Sequence, residues 1–149
     1  MNGGEGGGEE IRVIQYAGHD FQYALEVRRK VFIEEQSVSP EEEFDAHDET
    51  SVHLLALCDG EPAGTLRFFD DAGWLHVGRV AVLPGRRGGG LGRRMMLRCI
   101  EEGRRRGLGR CFLNAQTDKM NFYRKLGFRE LGDEFMDAGI PHYRMELYF

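Results

Sequence analysis

Val77-Gly78-Arg79-Val80-Ala81-Val82-Leu83, followed past Pro84-Gly85-Arg86 by Arg87-Gly88-Gly89-Gly90-Leu91-Gly92, is the stretch that decides how this chain is read. The apolar run reads as a strand and the glycines as a turn. Leu91, Met95, Met96, Cys99 and Ile100 then recur at helical spacing, so an amphipathic helix follows with its arginines turned outward. Glycine at such a turn lets the backbone approach a ligand, and the first amides of the new helix have no intrahelical acceptor. The helix dipole and the flanking arginines add positive charge at the same point, so the stretch predicts an anion site suited to pyrophosphate.

A length of 149 residues fits one domain with a real core and is too short for two of usual size. With 41% hydrophobic and 30% charged residues and no apolar run of membrane-spanning length, the composition is that of a soluble globular protein. Residues 1–10 are rich in glycine and glutamate and resemble neither a signal nor a transit peptide. A flexible leader over 1–10, a domain over 11–149 and a cytoplasmic location are therefore expected. Cys58, Cys99 and Cys111 lack metal-ligand spacing, which predicts buried free thiols and no metal.

The net charge of −5 hides an asymmetry. No lysine or arginine occurs from 31 to 66, where Glu34, Glu35, Glu41, Glu42, Glu43, Asp45, Asp48, Glu49, Asp59 and Glu61 lie. From 86 to 110, nine arginines face only Glu101 and Glu102. A cationic region beside a glycine turn suits a phosphate-rich cofactor, and an acidic region suits a cationic acceptor such as an amine, although charge runs are also ordinary solvated faces.

Element by element, Ile11 to Tyr16 reads as a short strand, and Asp20 as the cap of a helix running to about Glu35 through Phe21, Ala24, Leu25, Arg28 and Phe32. Residues 36–51 read as a loop in which Ser39-Pro40-Glu41-Glu42-Glu43 can start one helical turn. Residues 52–57, 64–69 and 74–83 form an antiparallel meander, turned at Asp59-Gly60-Glu61-Pro62 and at Asp70-Asp71-Ala72-Gly73. After the glycine turn and its helix, Gly107-Leu108-Gly109 leads into a strand over 111–115, so strand, helix and strand imply a parallel crossover. Asp118 is expected to cap a last helix reaching Gly127, and 143–149 supplies the closing strand.

The glycine stretch does not end in Gly-Lys-Ser or Gly-Lys-Thr, which excludes a Walker loop, and it lies too late in the chain for a dinucleotide fingerprint. It matches Gln/Arg-x-x-Gly-x-Gly/Ala at Arg87, Gly90 and Gly92. Asn121-Phe122-Tyr123-Arg124-Lys125-Leu126-Gly127-Phe128, placed after the strand Phe112-Leu113-Asn114-Ala115-Gln116, supplies a second signature, a short helix that carries a tyrosine and ends in Leu-Gly-Phe. On these two motifs, in this order across 74–128, the chain resembles the GNAT superfamily of N-acetyltransferases. His53-Leu54-Leu55-Ala56 and Gly139-Ile140-Pro141-His142 are similar to a group of small bacterial members.

The resemblance implies a single α/β (α+β) domain, its mixed antiparallel and parallel sheet flanked by helices, with an acetyl-CoA cleft between two splayed parallel strands. It implies acetyl transfer from acetyl-CoA by direct attack of a neutral amine. Val80, Ala81 and Val82 would lie along the pantetheine arm, where a backbone amide can polarise the thioester carbonyl. Arg87, Gly88, Gly89, Gly90, Leu91, Gly92 and Arg93 would hold the pyrophosphate, and Asn114 and Asn121 would bond the arm. Tyr123 would protonate the departing thiolate, which suits a phenol that titrates near pH 10.

The base that takes the amine proton is drawn from Glu34, Glu35, Asp48, His53, His76 and His142, with Glu35 and His142 placed first. Partners are a small amine and no nucleic acid or membrane, while a homodimer would accord with many relatives. A non-catalytic acetyl-CoA sensor is the alternative. Arg86-Arg87 and Arg104-Arg105-Arg106 could suggest nucleic-acid binding, but net acidity and only three lysines oppose it.

Overall fold

Asp59-Gly60, Ala72-Gly73 and Ala138-Gly139 each hold both residues at positive φ, 53° and 82°, 52° and 88°, and 51° and 75°. Turns of this kind match the right-handed twist of paired strands, so each closes a tight hairpin. The computed structural model describes residues 8–149. In it β2 (Val52–Cys58) pairs with β3 (Glu61–Asp71), β3 with β4 (Trp74–Val82), and β6 (Arg129–Asp137) with β7 (Ile140–Tyr148), all antiparallel. With β1 (Glu9–Ile14) and β5 (Arg110–Gln116) they form a seven-stranded mixed sheet in the order β1-β2-β3-β4-β5-β7-β6.

β4 and β5 are parallel and are joined by the crossover helix α4 (Leu91–Arg105). On one face of the sheet α4 buries Leu91, Met95, Met96 and Cys99 against Leu75, Val77, Cys111 and Leu113. Each such side chain contributes roughly 1.5–3 kcal/mol, whereas an exposed ion pair of the Arg104–Glu101 kind is worth under about 1 kcal/mol, so packing holds this helix. Gly103 sets how closely α4 sits, because a Cβ there would lie 2.7 Å from Leu75 Cδ2. The short helix α5 (Met120–Lys125) adds Met120 and Tyr123 to the same core. The opposite face is covered by α1 (Phe21–Arg28), which runs on as a π-helical segment over Arg29–Glu35. It buries Phe21, Ala24 and Val27, and the π segment adds Val31 and Phe32.

The predicted meander, crossover and mixed sheet are present. Several details differ. The strand read from Ile11 begins at Glu9, so residues 9 and 10 of the expected leader belong to the sheet; its residues 1–7 lie outside the described residues. Asp20 does not cap α1 with its side chain, because its carboxylate accepts from Arg12 Nη1 at 2.9 Å. Asp118 makes no cap either: a 3-10 turn over Thr117–Lys119 leads into α5. Within the expected loop, α2 (Pro40–Glu43) forms as read, with Ser39 Oγ accepting from the Glu42 amide at 3.2 Å, and a second turn, α3 (His47–Thr50), follows. β6, exposed along its whole length, was absent from the sequence reading.

Candidate active site

Pairing between β4 and β5 is confined to Leu75–Cys111, His76–Phe112 and Val77–Leu113. Beyond that point β4 stays with β3 and β5 stays with β7, so the two parallel strands separate. A β-bulge reinforces the parting: Arg67 opposes Gly78 and Thr65 opposes Ala81, which leaves Arg79 and Val80 facing Leu66 alone. Arg79 occupies the left-handed region at φ 54°, which costs a non-glycine residue roughly 1–2 kcal/mol. The extra residue also shifts the alternation. Val80 and Val82 turn to the α4 face, while Ala81 joins Val27, Val31 and Phe32 on the α1 face.

The gap opens into a cavity of about 550 Å³ bordered by Val80, Ala81, Val82, Arg87, Gly88, Gly90, Leu91, Gly92, Arg93, Asn114, Tyr123 and His142. Gly88 and Gly90 have φ of 88° and 86°, and Gly90 forms the N-cap of α4 in the left-handed region. The first helix amide with a partner is that of Arg94, bonded to Gly90 O at 3.0 Å; among the described residues those of 88–93 donate to no backbone acceptor. A Cβ at Gly88 or Gly89 would meet nothing within 4 Å, so open space, not packing, surrounds this turn. Gly92 is tighter, with Phe122 Cζ 3.2 Å from a Cβ placed there. Arg87 donates to Val82 O at 2.8 Å and forks onto Glu35 at 2.8 and 2.7 Å. Arg86 and Arg93 are exposed at the cavity.

Tyr123 borders the cavity yet is only 7% exposed, and its phenol finds no hydrogen-bond partner among the described residues. Burial pushes its pKa well up, so the proton is held firmly. The ring lies edge-on to Phe122 at 4.9 Å and to Phe128 of the Leu-Gly-Phe signature at 5.9 Å. Asn114 borders the gap from β5, but Asn121 is exposed and accepts from Arg124 Nη1 at 2.7 Å, outside the cavity lining. Gly89 also falls outside that lining, with its carbonyl accepting from Arg94 Nη1 at 3.0 Å.

The base candidates separate clearly by position. Glu35 is engaged by Arg87, whose bonds lower its pKa, and it does not border the cavity. Glu34 pairs with Arg29. Asp48 is buried between Arg28 (2.7 Å) and Arg67 (2.8 Å), and His53 is buried with Nε2 2.9 Å from Asp48 O. His142 does border the cavity, with Nδ1 2.7 Å from Ile140 O. So does His76, whose ring stacks on Phe112 at 4.1 Å and whose Nδ1 lies 3.1 Å from Asp71 Oδ2. Burial lowers the His76 pKa against the pull of Asp71, which favours a neutral imidazole. With Nδ1–H directed at the carboxylate, Nε2 carries the free lone pair.

Residues to which the sequence assigns no functional role border the same cavity: His47, Arg67, Phe69, Arg79 and Asp137. His47 and Phe69 stack at 4.8 Å with planes 9° apart. Arg67 and Arg79 belong to a buried ionic network with Arg28, Glu43, Asp45 and Asp48. Burial raises the Glu43 pKa despite Arg28, whereas Asp45, although burial opposes it, is held at about 2 by Arg67 and Arg79.

The seven-stranded mixed sheet, parted beside a glycine turn at a helix start, belongs to a fold that this chain shares with solved N-acyltransferases. Residues 13–149 match the acetyltransferase (GNAT) domain family, and the chain belongs to that family. It is 37% identical over 123 residues to the uncharacterised N-acetyltransferase YjcF of Bacillus subtilis, covering 82% of this chain and 88% of YjcF. An acyl-CoA N-acyltransferase from Pseudomonas aeruginosa superposes with a TM-score of 0.82 at 28% identity, over 93% of this chain and 98% of that one. The PaiA N-acetyltransferase of Thermoplasma acidophilum, solved in complex with coenzyme A, shares the fold at 17% identity, with a TM-score of 0.74 over 95% and 99% of the two chains. Among the described residues, no helix is long and apolar enough to cross a membrane.

Proposed function

We propose that this protein transfers the acetyl group of acetyl-CoA to the primary amine of a small, cationic acceptor by direct attack while both are bound. One observation carries the reading: a single cavity joins Gly88 and residues 90–93, whose amides meet no backbone acceptor among the described residues, to a buried phenol with no hydrogen-bond partner among them, through the gap between β4 and β5. The PaiA complex with coenzyme A supports the same ligand class. Acetyl-CoA, when bound, supplies a thioester as the activated acyl group. Residues 87–93 suit its phosphates, since Gly88 and Gly89 leave space that a side chain would fill and Arg86 and Arg93 stand beside it. Val80, Ala81, Val82 and Asn114 border the path of the arm.

Tyr123 is the proton donor for the leaving thiolate, and burial keeps its phenol protonated before the reaction. His76, oriented by Asp71, takes the amine proton at Nε2, with His142 as a further imidazole at the cavity. The charge argument for the acceptor narrows to Glu42 and Asp137. Of the eight acids between 34 and 49, Glu34, Glu35, Glu43, Asp45 and Asp48 bond to arginines, and of the rest only Glu42 borders the cavity. Asp137 joins it from β6.

Calorimetry with coenzyme A, followed by thiol release from acetyl-CoA with spermidine, tyramine, glucosamine and lysine, tests this reading. Micromolar-class association and amine-dependent thiol release are expected; no association with coenzyme A overturns it, and association without release from any amine favours a sensor. Tyr123→Phe should lower kcat by about 100-fold or more while leaving the Kd for coenzyme A within about twofold. An unchanged kcat removes Tyr123 from proton transfer.

A further inference from the structure

Arg79 adopts the left-handed conformation that glycine usually supplies at a bulge of this kind. Its side chain accounts for the choice. Nε donates to Glu43 O at 3.0 Å, and Nη2 donates to Glu42 O at 3.0 Å and to Asp45 Oδ2 at 3.1 Å. Nε also lies 3.2 Å from Glu43 Oε1. The two carbonyls close α2, a helix of four residues whose last carbonyls have no donor within the helix. A strand residue at the cavity thus caps a loop helix.

The other arginines of the network act differently. Arg28 reaches the loop from α1 through Glu43 and Asp48, and Arg67 reaches it from β3 through Asp45 and Asp48. Arg28 shares the Glu43 carbonyl at 3.0 Å. Among the described residues only Arg79 bonds the Glu42 carbonyl, and it alone comes from the strand that borders the gap beside β5. Glu42, Glu43, Arg79 and Val80 all border the cavity.

We propose that Arg79 is a positioning residue that locks residues 39–48 to the bulge of β4, so that the wall facing the acceptor and the strand facing the thioester arm keep one register. The kinetic side of this inference rests on the acyl-transfer reading; its structural side does not. Arg79→Gly is the informative variant, because glycine keeps the backbone conformation and removes only the guanidinium. Were φ alone the reason for this position, glycine would serve at least as well as arginine. Arg79→Lys keeps the charge and loses the fork.

The experiment combines amide hydrogen exchange by mass spectrometry, calorimetry with coenzyme A, and steady-state kinetics with tyramine and spermidine. In Arg79→Gly, exchange over residues 40–48 should rise about tenfold or more while that of α4 stays at the wild-type level and the Kd for coenzyme A stays within about twofold. The acceptor KM should rise about tenfold with kcat and the KM for acetyl-CoA within about threefold, and Arg79→Lys should fall between. Wild-type exchange over 40–48 in Arg79→Gly, or loosening spread equally over the whole chain, overturns the proposal. If Arg79→Gly does not fold, the same measurements on Arg79→Lys decide. If wild-type protein binds no coenzyme A and releases no thiol, the acyl-transfer reading fails, and the exchange data still judge Arg79.

Discussion

Among the described residues, 88–93 leave their backbone amides bare, whereas residues 43–48, of which Glu43 and His47 border the same cavity, pair nearly every charge they carry. The glycine turn is one contiguous piece of chain whose shape follows from two positive φ values and an N-terminal helix end. The acidic loop is the product of three arginines drawn from α1, β3 and β4. Nothing among the described residues satisfies that local backbone device, so its amides stay open to solvent or to a ligand. A wall built from long-range ion pairs is satisfied before any ligand arrives, and its residues serve shape more than charge.

Breaking the second region should therefore damage stability, and breaking the first should damage affinity. The largest effect is expected for Arg28→Met. It leaves Glu43 with Arg79 and Asp48 with Arg67 as their remaining partners, and since the two acids are 1% and 5% exposed, breaking their buried pairs with Arg28 costs about 3–5 kcal/mol. Thermal unfolding should show a Tm drop of about 10 °C. A drop under about 2 °C would mean that the network contributes little. Next comes Gly90→Val, where a β-branched residue is forced to φ 86° and a Cβ would lie 2.6 Å from Arg94 Nη1. Restoring the turn on binding should weaken coenzyme A by roughly 10- to 30-fold in calorimetry, with Tm nearly unchanged. Equal losses of Tm and affinity would erase the contrast between the two regions.

A smaller effect sharpens the comparison through pH. Burial lowers the pKa of His76 and of His53, so below pH 6.5 the unfolded chain binds more protons than the native one and stability falls as pH falls. Raised Glu43 works in the opposite direction, so the measurement is the difference between wild type and His76→Gln from pH 6.5 to 5. That difference should shrink with acidification, by at most about 1.4 kcal/mol per pH unit. A difference independent of pH would leave His76 unperturbed. The smallest effect is that of Glu35→Gln, which frees Arg87 at the glycine turn. Since an exposed pair is worth only about 0.2–1 kcal/mol, coenzyme A should bind up to about fivefold tighter. Weaker binding would show that Glu35 helps to place Arg87 for the ligand.

The glycine turn and both signatures were legible in the sequence because each is a run of adjacent residues whose geometry is set locally. The hairpin of β6 and β7 carried a local signal too: Asp137-Ala138-Gly139 repeats the Asp71-Ala72-Gly73 that was read as a turn before β4. It escaped because β6 is exposed on every residue and lacks apolar alternation. The roles of Glu35, Asp48 and Arg79 were not legible. Arg87 lies 52 positions from Glu35, and Arg79 lies 37 from Glu42, so only the folded chain shows which acids are engaged and which remain. His76 was one of three similar histidines until Asp71 and Phe112 set it apart.

Only three residue pairs stitch β4 to β5, so the sheet is two blades meeting at a short seam, with α4 as the brace between them. Past the seam, two facing strand edges run on with rungs missing. A flexible guest whose own amides are spaced like those of a polypeptide would finish that ladder from outside, acting for the length of one turnover as the protein's eighth strand.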